Sequence, residues 1–185
     1  EGEMPTFCAS TDASAKEDWI PTEIENVWKC TKSIPGNTGN IIFNDNECTA
    51  AFHWNLEDLC AQGDFVDIKS DSPDTGVTKT ESSQLYLYSC GNPAEVYSHI
   101  EVASYNVRQL VSLQDGMSFD SLRFINSGVH GMAGKASNVT VRNCVFENIG
   151  GCAWSRKLEI RFGNGFEIWE RGNDILIENC SFKNI

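Results

Sequence analysis

The stretch GFEIW, from Gly165 to Trp169, alternates Phe166 and Ile168 with Glu167 and Trp169. On a strand this period of two places Glu167 and Trp169 on one face, two residues apart. A carboxylate beside an outward indole suits a sugar ring, because the indole covers the apolar face of the ring and the carboxylate accepts hydrogen bonds from its hydroxyls. Glu167 is the candidate catalytic residue and Trp169 a candidate substrate-binding residue. Cleavage of a glycosidic bond by carboxyl groups needs a second one, about 5–5.5 Å away for retention or about 6.5–9.5 Å for inversion.

The second carboxyl group is not at the equivalent place one repeat earlier. Setting Gly131 over Gly165 puts Ala133 where Glu167 stands, and leaves Asp115, Asp120 and Glu159 as candidates. A lyase would instead need a base and a cation to neutralise the acid group of its substrate. Arg156, Lys157 and Arg161 cluster between the repeats, and Arg161 is the one taken as substrate-binding. His130, between glycines in GVHGMAG, aligns with Asn164, and both are candidates to line the same surface. No metal ligand set stands out: there is no calcium-binding loop signature, and no cofactor is expected. Calcium is the one ion that acidic pairs such as Glu57 and Asp58, or Asp71 and Asp74, could take.

The elements that carry these residues come from a repeat. NVTVRNCVFENIG (Asn138 to Gly150) and NDILIENCSFKNI (Asn173 to Ile185) align at a shift of 36, which sets Val139 on Ile175, Cys144 on Cys180 and Phe146 on Phe182. A shift of 22 in the other direction sets Phe119 on Val141, Phe124 on Phe146 and Asn126 on Asn148, so there are three copies. The longer spacing holds an inserted loop, Gly151 to Asn164. Within a copy the alternation breaks at Asn143 and resumes in the opposite parity, as expected for short strands joined at a corner. Units of this size cannot bury a core singly, and stacking gives a solenoid in which like side chains lie about 4.8 Å apart. Phenylalanine should then stack on phenylalanine, and Asn143 and Asn179 are placed to form an amide ladder.

Residues 108–185 are expected to form these coils, and residues 1–107, which lack the register, an irregular N-terminal cap with the first strands. The abrupt stop at Ile185 suggests a truncated solenoid, whose open end would invite self-association. Five of the eight cysteines fall in the first 90 residues, so disulfides pinning the cap in an oxidising compartment are an expectation; small buried thiols are the alternative. Lys and Arg number 14 against 26 Asp and Glu, a net charge of −12 that repels nucleic acid. No apolar run approaches the roughly 20 residues that cross a bilayer, so membrane insertion is not expected.

The repeated phrases resemble the coils of right-handed parallel β-helix proteins, the pectin-lyase-like superfamily. The ordered segments QGDF (Gln62–Phe65), LYLYSCGNPAEVYSHIEVA (Leu85–Ala103), GVHGMAG and RFGNGFEIW (Arg161–Trp169) are similar to secreted bacterial members of carbohydrate-active type. The resemblance implies an all-β fold, a secreted or cell-surface location and a polysaccharide partner. It also implies a glycoside hydrolase, a polysaccharide lyase-like protein or a fragment of one, acting or binding near Glu167, Trp169, Arg161, His130 and Asn164. The alternative is a non-catalytic adhesion or structural solenoid.

Overall fold

The computed structural model describes residues 3–68, 84–170 and 172–185. The polar run Ser70 to Ser83, with the Asp71 and Asp74 pair named above for calcium, lies outside them. The described residues form an all-β protein with three parallel sheets.

The described residues up to 107 supply ten strands: β1 (Thr6–Cys8), β2 (Ser10–Asp12), β3 (Trp19–Pro21), β4 (Val27–Cys30), β5 (Thr38–Phe43), β6 (Cys48–Thr49), β7 (Ala51–Phe52), β8 (Asp64–Asp67), β9 (Leu85–Tyr88) and β10 (Ile100–Ser104). One sheet runs β2-β10-β5-β6, with antiparallel pairing throughout, and another β3-β4-β9-β8-β7. Between them Trp19, Ile34, Ile41, Phe43, Phe65, Leu85, Leu87 and Ile100 make a buried core. HWNLEDL yields a single 3-10 turn at Leu56–Asp58, and an α-helical turn, α1, spans Pro93–Val96 behind the Asn92 cap.

The remaining strands are β11 (Gln109–Leu113), β12 (Ser118–Asp120), β13 (Arg123–Ser127), β14 (His130–Gly134), β15 (Val139–Arg142), β16 (Val145–Ile149), β17 (Cys152–Ser155), β18 (Ile160–Phe162), β19 (Phe166–Ile168), β20 (Ile175–Glu178) and β21 (Ser181–Lys183). The triplets β11-β12-β13, β14-β15-β16 and β19-β20-β21 are three passes of the chain. Each sheet takes one strand from each pass, and β1 adds a fourth strand beside β13. The register follows the repeat: Phe119 pairs with Val141, Val139 with Ile175, and Phe124, Phe146 and Phe182 lie in line.

Along that line the rings of Phe7, Phe124, Phe146 and Phe182 are stacked, with centroids 5.1, 5.0 and 4.7 Å apart. Strand spacing alone dictates this distance for like residues in a parallel sheet. Asparagine takes the corners because its side chain tolerates the left-handed conformation: Asn126, Asn138, Asn143, Asn148, Asn179 and Asn184 all have φ between 52 and 56°. The amide ladder, however, runs through a different corner from the one the sequence suggested. Asn184 donates to Asn148 (3.0 Å), Asn148 to Asn126 (3.1 Å) and Asn126 to Glu101. Asn143 turns instead to Asp120 on the preceding pass (3.0 Å). The chosen corner is the buried one, where an unpaired amide costs most.

The disulfide expectation fails, since all eight cysteines are free thiols. Cys30, Cys144 and Cys152 serve as small buried side chains. Burial pushes the Cys30 thiol up to about 11 and raises those of Cys144 and Cys152 as well. The inserted loop folds as the hairpin β17-β18 and clamps the passes to the N-terminal sheets. Asn37 donates to the Ala153 carbonyl and accepts from its N–H (3.4 and 3.0 Å), and Arg156 donates to the carbonyls of Asp67 and Trp54.

His99 ties the left-handed turn at Asn44–Asn46 to β10, with Nδ1 2.6 Å from Asp45 Oδ1 and Nε2 4.0 Å from Asp12 Oδ1. The Asp45 hydrogen bond, opposed by partial burial and aided by Glu101, Asp45 and Asp12, raises its pKa. The folded state therefore binds the proton more tightly. The resulting stability is complete below the unfolded value of about 6.5 and is lost as pH rises through the folded value. The urea midpoint of the wild type should fall relative to that of His99→Gln as pH rises above about 6.5. Parallel curves would sink this linkage.

Candidate functional site

The outer face of the β11-β14-β19 sheet carries the site. In β19, Phe166 and Ile168 pack on the core of the passes, which turns Glu167 and Trp169 outward. Ala133 of β14 pairs directly with Glu167, and Ser112 of β11 with Ala133, so the column holds one carboxylate. Gly131 and Gly165 permit the tight entry into these strands: a β-carbon on Gly131 would lie 2.5 Å from Gly165 O and 2.9 Å from Ile149 Cδ1. Larger residues there would push β14 off β19 and displace His130.

Four of the five residues named from the sequence meet here. Glu167 Oε1 accepts from Trp169 Nε1 (2.9 Å), and Oε2 accepts from Asn164 Nδ2 (2.8 Å). His130 Nδ1 lies 3.0 Å from Glu167 Oε2 and also accepts the backbone N–H of Asn164 at 3.2 Å. The His130 ring is almost wholly buried, with Trp169 and Phe162 edge-on to it. Burial lowers its pKa, with Arg108 acting in the same direction and the Glu167 carboxylate opposing.

Arg161, the fifth, is elsewhere. Its guanidinium donates to the carbonyls of Gly151 (2.6 Å) and Gly39 (2.5 Å) and lies 4.4 Å from the Phe52 ring centre, so it fastens the hairpin rather than lining the Glu167 group. The candidate second carboxylates are also engaged away from it. Asp115 accepts from Ser137 N, Asp120 from Asn143 and Ser121, and Glu159 occupies the left-handed turn of the hairpin.

Arg108, which the sequence reading missed, stacks its guanidinium 4.5 Å from the Trp169 ring centre. It precedes β11, outside the repeated phrase, and the pairing of Gln109 with His130 is what brings it level with the site. That pairing could have been found by extending the Gly131 and Gly165 alignment back one pass. Phe162 was missed because it lies in the insertion.

The group is thus a carboxylate held by an indole N–H and a side-chain amide, a buried imidazole on the same oxygen, and an exposed guanidinium over the indole. It can accept hydroxyl hydrogen bonds, cover an apolar ring and pass a proton. Among the described residues no set of three or more His, Cys, Asp and Glu side chains is grouped to hold a metal ion, and no helix is long and apolar enough to cross a membrane. Comparison with models of protein families, with curated proteins and with solved structures finds no match.

Proposed function

We propose that the three passes are coils of a right-handed parallel β-helix and that the chain engages a polysaccharide on the outer face of β11-β14-β19. The observation that carries this reading is the fixed pair Glu167 and Trp169, an oriented acceptor beside an aromatic plane on the outer side of the sheet. A sugar chain offers what such a surface takes: hydroxyl donors at ring spacing and apolar C–H faces. In this reading the protein is secreted or presented at a cell surface, where such polymers are met, and acts in the manner of a glycoside hydrolase or polysaccharide lyase or binds without cleaving.

The single-carboxylate column Ser112, Ala133, Glu167 favours binding without cleavage, because the usual hydrolytic pair has no second member in that column. The two readings separate in one experiment. The protein is incubated with a panel of plant and algal polysaccharides while reducing ends, absorbance of unsaturated products and retention on the immobilised polymer are followed. Binding that Trp169→Ala weakens at least tenfold, with neither product, supports the binding reading. Release of either product that Glu167→Gln abolishes supports the enzyme. Absence of both binding and products across the panel would remove the polysaccharide.

A further inference from the structure

One nitrogen of the site has two partners that a single protonation state of the imidazole cannot satisfy. His130 Nδ1 accepts the backbone N–H of Asn164 at 3.2 Å, which requires a bare lone pair on that nitrogen. Glu167 Oε2 stands 3.0 Å from the same atom. Were Oε2 also bare, two lone pairs would face each other at hydrogen-bond distance beside a buried ring. With the proton resident on Nδ1 instead, that nitrogen faces Glu167 as a donor but has no lone pair for the Asn164 N–H, and a further proton on Nε2 would set an imidazolium beside Arg108 in a ring walled by Phe162 and Trp169. The charged groups that bear on the ring are Glu167 from β19 and Arg108 from the segment before β11.

We propose that His130 and Glu167 hold one proton between Nδ1 and Oε2, so that this face offers a proton donor and not only an acceptor. The remaining contacts of the carboxyl group fit the assignment. Oε1 accepts the indole N–H and Oε2 accepts the Asn164 amide, which leaves Oε2 able to carry a hydrogen toward Nδ1. A pair of this kind titrates as a unit, with apparent values belonging to both residues. It could deliver its proton to an oxygen of a bound molecule and recover it from solvent. Only the identity of that molecule rests on the polysaccharide reading.

The test needs no ligand. The imidazole nitrogens of His130 and the carboxyl carbon of Glu167 are followed by NMR from pH 4 to 9 in the wild type, Glu167→Gln and Glu167→Asp. The expected result is a common midpoint for both residues in the wild type. In Glu167→Gln the His130 midpoint should fall, since the carboxylate that supports its charged form is gone. Glu167→Asp, which keeps the carboxyl but shortens its reach, should give an intermediate midpoint. A His130 midpoint unmoved in Glu167→Gln, or separate midpoints in the wild type, would overturn the shared proton. Shared titration in a protein that binds no polysaccharide would leave this proposal standing and remove the other.

Discussion

Phe146→Ala is expected to lower the stability of the fold by about 3–5 kcal/mol, the range for emptying a buried phenylalanine site. Phe146 is fully buried, with Phe124 stacked on one side at 5.0 Å and Phe182 on the other at 4.7 Å. Truncation removes both ring contacts and opens a void that strands fixed by β13 and β21 cannot close. The loss divides into the transfer of the ring, the cavity and the two stacking contacts. Phe182→Ala, at the half-exposed end of the same stack, should cost less than half as much because only one ring contact is lost and water fills the gap. Urea unfolding of the two variants checks this. Equal losses would sink the expectation that full burial and a second stacked neighbour set the larger effect of Phe146.

Asn148→Ala is the second large effect, about 2–4 kcal/mol, and its origin differs. Asn148 donates to Asn126 (3.1 Å) and Asn46 (2.9 Å) and accepts from Asn184 (3.0 Å), so its removal leaves three polar groups without their partner. A buried group left unsatisfied costs about 1–3 kcal/mol. Alanine must also enter the left-handed conformation that Asn148 holds at φ 55°, at about 1–2 kcal/mol. Asn148→Gly separates the two causes, since glycine accepts that conformation freely. The glycine variant should recover about 1 kcal/mol of the loss in thermal or urea unfolding, the remainder being the amide. Full recovery would show that the ladder contributes nothing.

Much of this was legible in the sequence because the repeat carries it. Pairing of identical residues at shifts of 22 and 36 requires only that like side chains occupy like places, and the sheet registers follow it residue by residue. The column Ala133 and Glu167, with His130 level with Asn164, came from setting Gly131 over Gly165, a shift of 34. The position of the amide ladder was hidden, because Asn143 and Asn148 look alike in the repeat and differ only in burial, which depends on the N-terminal sheets. Arg161 was placed at the site for a related reason, and Arg156 behaves alike. A guanidinium in a loop reads as free for a ligand, whereas here backbone carbonyls of residues more than 80 positions away take its hydrogens. Contacts between repeated and unrepeated parts leave no periodic trace.

The asparagine column also has a sense of direction, and one residue sets it. A carboxylate can only accept, so Glu101 forces the Asn126 nitrogen toward itself and the Asn126 oxygen the other way. That oxygen then draws the Asn148 nitrogen, and the Asn148 oxygen draws that of Asn184. An arrangement with every amide reversed would set Asn126 oxygen against Glu101 oxygen. The orientation of three side chains on three passes is thus inherited from a single charge on β10, and with a neutral amide in its place nothing would distinguish up from down.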